Sequence, residues 1–343
     1  MSRVPVIDVH THMLGQEWFK LIREHGGPSY TVKEVETLRG TQLALHRDGA
    51  SFMTIFPEML DYDLRVKDMD KAGVDISVVS LTCPNVFWGN KEISSHAARA
   101  INKEMQDAQR RYPNRIRWFA SLPWQYEHEA IAELETALAD GASGVVVTGN
   151  IENKHLTDPT FAAVWEAIDK HGLPVIIHPG PPPGVGPMDM ASYHLVAANG
   201  FLFDTTLAIS RMIYDGFFDR YQKVKIISCH GGGTLPYIIG RLDRCYDAVP
   251  ACKVKISSPP SSYMNRIFID AVLYRQDALE FAAKVWGEDN MLFGSDYPHN
   301  IGDAAGCLAR VNALPQPLRD KVCGINALRI FNFQLGQHCT TGN

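Results

Sequence analysis

Val4-Pro-Val-Ile-Asp8-Val-His10-Thr-His12 is a short β-branched run that turns polar at its end. Such residues sit well on a pleated strand. Alternation puts His10 and His12 on one side and Thr11 on the other, with Asp8 on the side of the histidines. Seven runs of the same kind follow this first strand, Val4–Val9: Ile76–Leu81, Ile116–Leu122, Gly144–Thr148, Pro174–His178, Val224–Cys229, Arg266–Val272 and Asn290–Gly294. They read as nearly continuous apolar stretches, the pattern of parallel strands covered on both faces. Helical patterns lie between them, over Asp63–Ala72, Ile93–Arg111, Glu127–Leu138 and Phe161–His171. Gly141 and Gly172, just past the last two, are helix stop signals. Eight strand-helix units predict an α/β fold, a single (β/α)8 barrel domain over residues 1–343 rather than two doubly wound domains.

Composition narrows the class. The chain has 343 residues, 45% hydrophobic and 21% charged, enough to bury a large core without staples. Lys+Arg 33 against Asp+Glu 38 gives a net charge of −5, which argues against nucleic acid or an anionic membrane as partner. No signal-peptide pattern opens the chain and no apolar run reaches the roughly 18 residues of a membrane span. Seven scattered cysteines without a C-x-x-C pair fit a reduced, cytoplasmic protein.

Two segments break the even spacing. About fifty residues, Met13–Tyr62, separate the first strand from the next helix, and the fifth strand runs into His178-Pro-Gly-Pro-Pro-Pro-Gly-Val-Gly-Pro187. Both follow strand C-terminal ends, the face on which barrel active sites are built. The first is expected to be an insertion serving as a lid, the second a pocket wall.

The chemistry gathers at the same ends. His10 and His12 close strand one, His178 strand five, His230-Gly-Gly-Gly233 strand six and Gly-Ser-Asp296 strand eight. A lone histidine after an apolar strand is usually a hydrogen-bonded core residue. Four histidines and an aspartate at equivalent ends read as a metal site. Asp8 is either an acceptor from a ligand histidine or a locally bonded strand residue. Phe87, Trp88 and Trp124 after strands two and three put aromatic rings near the mouth, suiting a planar apolar substrate or simply packing the loops. His194 and His299 are the two other histidines placed to touch a substrate.

The ordered set His10-x-His12, His178, His230-Gly-Gly-Gly and Gly294-Ser-Asp296-Tyr-Pro resembles the amidohydrolase superfamily, specifically its aminocarboxymuconate-semialdehyde decarboxylase-like branch. Arg65-Val-Lys-Asp-Met-Asp70-Lys-Ala-Gly-Val and Leu235-Pro-Tyr-Ile-Ile-Gly-Arg241 extend the resemblance along the chain. It implies that His10, His12, His178 and Asp296 ligate one divalent metal and that His230 and Asp296 act as acid/base groups. It also implies that Arg241 reaches a neighbouring subunit's pocket in a homodimer. Binuclear members bridge their metals with a carboxylated lysine from strand four, but here that strand reads Gly144-Val-Val-Val-Thr148, so one metal is expected. Three imidazoles and a carboxylate suit zinc, and manganese fits the same ligand types.

The implied activity is nonoxidative decarboxylation of a hydroxylated aromatic or heteroaromatic carboxylic acid. The same ligands would serve a hydrolase or hydratase acting on a ring-derived amide, lactone or unsaturated acid. A barrel that has lost catalysis and acts as a binding protein is the reading from a different class. Two departures from the branch concern the pocket. Alignment on Arg65–Asp70 puts Met53 where the aminocarboxymuconate enzymes use an arginine for a substrate carboxylate, with Arg47 nearby. The family tryptophan after the strand-five histidine is replaced by the Pro/Gly run.

Overall fold

The computed structural model describes residues 3–47 and 50–334, apart from the side chains of Ala50 and Ser51. Its strands in chain order are β1 (Ile7–His12), β2 (Tyr30–Thr37), β3 (Gly40–Arg47), β4 (Ala50–Ile55), β5 (Ile76–Ser80), β6 (Ile116–Ser121) and β7 (Gly144–Thr148). A two-residue pair, β8 (Asn150–Ile151) and β9 (Lys154–His155), precedes β10 (Pro174–His178), β11 (Lys225–Ser228), β12 (Ile267–Asp270) and β13 (Met291–Leu292). Eight of them form one sheet in the order β1-β5-β6-β7-β10-β11-β12-β13, every pair parallel. The last strand returns to the first. Val9 N donates to Phe293 O at 3.0 Å and His12 N to Tyr297 O at 2.8 Å. Eight parallel strands closed in this way, with helices around them, are a (β/α)8 barrel.

The inside of the barrel is filled by Ile7, Val78, Phe119, Val146, Ile176 and Ile227, among others. Ala327, Ile330 and Phe331 of the helix Asn326–Phe331 join this cluster and plug one end. Because the N-terminal end is plugged by apolar side chains, only the opposite mouth is left for chemistry. A second, larger apolar layer lies between the strands and the helices α1 (Gln16–His25), α2 (Tyr62–Ala72), α3 (Lys91–Arg111), α4 (Glu127–Ala139), α5 (Ala162–His171) and α6 (Phe201–Tyr214). Local chemistry sets the ends of α2. The Asp61 carboxylate accepts from Asp63 N and Leu64 N, and Gly73 at φ 77° ends the helix in the left-handed conformation that glycine adopts without strain. No helix among the described residues is long and apolar enough to cross a membrane.

The first strand begins three residues later than the sequence pattern suggests, and it carries a bulge. Asp8 pairs with Ser77 but Thr11 with Val79, so β1 has one residue more than β5 between them. A bulge re-aims the side chains that follow it. Here it keeps Val9 in the barrel interior and still turns His10 and His12 into the mouth. Asp8 is thereby separated from the histidines, against the simple alternation. It lines a small cavity shared with Arg65, Met69 and Val74, on the outer side of the strand under α2.

Residues 13–62 also differ from expectation. The stretch is not irregular: α1 packs against α3, and β2-β3-β4 form a three-stranded antiparallel sheet. Trp18, Phe19, Leu21 and Ile22 form the buried face of α1. Phe52 and Met53 on β4 reach the barrel mouth, where they line a cavity.

Arg65 ties α2 to the C-terminal end of β1. Its guanidinium is buried, donating from Nη1 to Thr11 Oγ1 at 2.7 Å and from Nη2 to the His12 carbonyl, and it lies 4.7 Å from the centre of the Tyr297 ring. Removing a buried charge leaves its acceptors unpaired. Arg65→Ala is expected to lower the unfolding free energy by about 3 kcal/mol or more. Urea denaturation checks this, and a loss below about 1 kcal/mol would show that these bonds are dispensable.

Candidate metal centre

Four side chains from the ends of three strands, β1, β10 and β13, converge in the mouth. One ligand atom each from His10, His12, His178 and Asp296 can be chosen such that all lie within 4.8 Å of one another, and all four residues are buried. The Asp296 Oδ1 lies 3.3 Å from His10 Nε2 and 3.2 Å from His12 Nε2. His230 stands on the other side of the same carboxylate, its Nε2 3.5 Å from Asp296 Oδ2.

Each inward imidazole is held from behind through its other nitrogen. His10 Nδ1 meets Asp270 Oδ2 at 2.6 Å, His12 Nδ1 meets Ser80 Oγ at 3.2 Å, and His178 Nδ1 donates to Pro179 O at 2.9 Å. Fixing Nδ1 leaves Nε2 free to point at the centre, the arrangement metal-binding histidines use. Asp270 does more than hold His10. It also accepts from the backbone N–H groups of His230, Gly231 and Val272, each at 2.9 Å. One carboxylate therefore orients a ligand and fixes the turn that presents His230. That turn is left-handed, with His230 at φ 55° and Gly231, Gly232 and Gly233 all at positive φ. A Cβ on Gly233 would come within 2.6 Å of the Leu202 carbonyl oxygen, so only glycine fits there. Asp296 itself lies at φ 56°, in the left-handed region that few non-glycine residues adopt.

Electrostatics favour a cation here. Burial opposes ionisation of Asp296, but hydrogen bonds from His10, His12 and His230 hold its carboxyl well below the usual range. Burial pushes His12 down to about 3, and burial with the neighbouring imidazoles holds His178 well below the ordinary value, so both are neutral donors. Burial also disfavours a charged His10. The Cys229 sulfur and the Asp270 and Asp296 carboxylates outweigh it, raising His10 well above the usual value. Two buried carboxylates thus call for a positive charge at the centre. His10 Nε2 and His230 Nδ1 are buried without hydrogen-bond partners. Three imidazole nitrogens, one of them the unpartnered His10 Nε2, and a carboxylate fit a divalent metal ion.

A cavity of 240 Å³ opens over these groups. Asp296, His178 and His230 form its floor, and Phe52, Met53 and Phe201 are among its walls. Met53 does line the cavity and offers it no charge. His194 and His299 line it as well. The His299 Nε2 lies 3.0 Å from Thr82 Oγ1, and its ring centre is 4.8 Å from that of His12.

The other pocket expectations fall differently. Phe87 and Trp88 are not among the residues lining this cavity. They face an adjacent polar hollow that shares Cys83 with it, and Trp88 Nε1 donates to Asn85 O at 2.9 Å. Trp124 is fully buried, 4.8 Å from the ring centre of Trp165, and packs the shell. Arg241 is exposed on the helix Leu235–Ala248 and is also absent from the cavity lining. Asp8 resolves to local bonds. It accepts from His10 N at 3.2 Å, lies 2.5 Å from Ser295 Oγ, and burial pushes its carboxyl up to about 7. The histidine-orienting carboxylate is Asp270, missed in the sequence although it is an acid near the end of the otherwise apolar Arg266–Val272 run.

The profile of the amidohydrolase family matches residues 7–333. The 2-amino-3-carboxymuconate-6-semialdehyde decarboxylase of Dictyostelium discoideum is 29% identical over 328 residues, covering 94% of this chain and 90% of that one. The gamma-resorcylate decarboxylase of Rhizobium radiobacter is 27% identical over 78% of this chain and 86% of its own. Among solved structures, the 5-carboxyvanillate decarboxylase of Novosphingobium aromaticivorans complexed with manganese and 4-hydroxy-3-methoxy-5-nitrobenzoic acid superposes with a TM-score of 0.81. It is 21% identical and covers 97% of this chain and 99% of that one.

Proposed function

The chain belongs to the amidohydrolase family, and from that premise we propose that it is a metal-dependent nonoxidative decarboxylase of a hydroxylated aromatic or heteroaromatic carboxylic acid. The observation that carries the reading is the joining of two features. A one-cation donor set, with Thr148 and no lysine ending β7, opens into a cavity walled mainly by apolar side chains of the size of a single ring.

His10, His12, His178 and Asp296 would hold the ion, which supplies Lewis acidity toward a phenolate or carboxylate oxygen of the substrate. The chain's own residues do the rest. Phe52, Met53 and Phe201 confine a planar ring and exclude water. Asp296 or His230, whose Oδ2 and Nε2 lie 3.5 Å apart, supplies a proton to the ring carbon that bears the carboxylate. The bond from that carbon to the carboxylate then breaks, CO2 leaves, and its electron pair restores the aromatic ring. His299, bonded to Thr82, stands beside the floor where a ring hydroxyl would lie.

Zinc is the proposed ion on ligand type; manganese is the competing ion, since the solved relative is complexed with it. The pure protein is expected to carry about one ion per chain by elemental analysis, and a chelator should abolish turnover that zinc or manganese then restores. With the ion bound, a panel of hydroxybenzoates and hydroxypicolinates should release CO2. Turnover confined to amides, lactones or unsaturated acids would sink the decarboxylase reading, and a metal-free protein indifferent to chelators would sink the metal mechanism.

Residues 13–62 are proposed as a lid over this mouth, since β4 already contributes its wall. Arg241 is proposed to serve a neighbouring copy, its helix carrying the exposed Tyr237 as well. Sedimentation should show a homodimer, and Arg241→Ala should raise KM about tenfold or more. A monomer with unchanged KM would contradict this.

A further inference from the structure

Resting on the decarboxylase reading, we propose that the substrate is an aromatic acid bearing an apolar substituent several carbons long, and that this substituent lies in a second hollow opening off the metal cavity. The second hollow, 400 Å³, is larger than the 240 Å³ cavity over the donor set. The two share Phe52, His194, Ala197 and Phe201, so the outer hollow lies directly beside the metal cavity. A monocyclic acid fills the first space and leaves the second to water. Together they fall within the roughly 300–1,000 Å³ that a drug-sized ligand occupies.

The chemistry of the outer walls selects the substituent. Pro181, Pro182 and Pro183 line it in succession, joined by Val185, Met190 and Val196. Proline has no backbone N–H, so this wall offers carbon surface and few donors. The polar side chains among the lining residues are those of His194, on the side shared with the metal cavity, and of Arg47 and Asn153. The hollow is also braced. Buried Asp204 accepts from Gly180 N at 2.8 Å and from Asn150 Nδ2 at 2.8 Å, while the same amide donates to Pro181 O at 3.1 Å. These bonds pin the start of the polyproline loop to a buried carboxylate, which favours a preformed wall.

The test compares homologous substrates on the metal-loaded wild-type enzyme. 2,4- and 2,6-dihydroxybenzoate serve as parents, each with methyl, propyl and pentyl groups at every free ring carbon. For one ring position, kcat/KM should rise by about two- to fourfold per added methylene, about tens to hundreds of fold from methyl to pentyl. Substituted acids no better than their parents, with the parents releasing CO2, would overturn the inference and leave the decarboxylase reading intact. CO2 from none of the acids would remove the reading on which it rests. Val185→Trp should then lower the pentyl-to-parent ratio of kcat/KM at least fivefold, and a ratio equal to that of the wild type would refute the assignment of this hollow.

Discussion

Asp296→Asn is expected to lower kcat for CO2 release about a thousandfold or more while the protein stays folded. The substitution keeps size and shape, and the side chain is almost fully buried, so packing changes little. Chemistry changes twice. An amide is a poor metal donor beside His10 and His12, whose Nε2 atoms lie 3.3 and 3.2 Å from the present carboxylate. It also cannot share a transferable proton with His230 Nε2 across the 3.5 Å gap. Loss of a positioned acid/base group alone is worth about 10²–10⁴ in rate, and the weakened ion site adds to it. Elemental analysis of the variant separates the two. Retained metal with lost turnover assigns the proton-transfer role to Asp296, whereas lost metal assigns it chiefly as a ligand. Turnover near that of the wild type would contradict both roles.

How much of this was legible beforehand follows from the kind of signal each element carries. Buried parallel strands leave apolar runs. All eight runs became barrel strands, and Gly172 ends α5 in the left-handed conformation, as a helix stop should. Convergence of His10, His12, His178 and Asp296 was legible because barrel topology maps strand C-terminal ends onto one mouth wherever they fall in the chain. Three things were not. The bulge in β1 depends on pairing with β5, which one strand's pattern cannot reveal, so Asp8 was set on the wrong side. The sheet β2-β3-β4 is half-exposed, and Tyr30-Thr-Val-Lys-Glu-Val-Glu-Thr37 carries too little apolar contrast to stand out from a loop. Asp270 was passed over because its run reads as plain core. The signal was nonetheless present: a single acid in Ile-Phe-Ile-Asp270-Ala-Val, with no charge opposite it in β13, where it pairs with Leu292.

That overlooked residue carries the second large effect. Asp270→Asn is expected to weaken metal affinity about 10- to 100-fold, the usual cost of losing the acceptor behind a ligand histidine. The geometry shows why the neutral isostere fails. Both carboxylate oxygens accept only: Oδ2 from His10 Nδ1 at 2.6 Å and His230 N at 2.9 Å, Oδ1 from Gly231 N and Val272 N at 2.9 Å each. An asparagine has one oxygen, so whichever way it turns, its NH2 faces a buried donor. Either His10 loses its orientation, or the turn carrying His230 loses its anchor. Charge works in the same direction. Burial favours a protonated Asp270, but His10, His230 and the Gly231 N–H hold it ionised, and that buried negative charge is part of what makes the site attract a cation. The same residue braces a ligand and an acid/base group, so kcat should also fall at saturating metal, unlike in a variant that only binds the ion less tightly. Competition against a calibrated chelator measures the first effect, and steady-state CO2 release with excess metal measures the second. Affinity within twofold of the wild type would show that His10 needs no carboxylate behind it. Full recovery of kcat with excess metal would show that the His230 turn stands without Asp270.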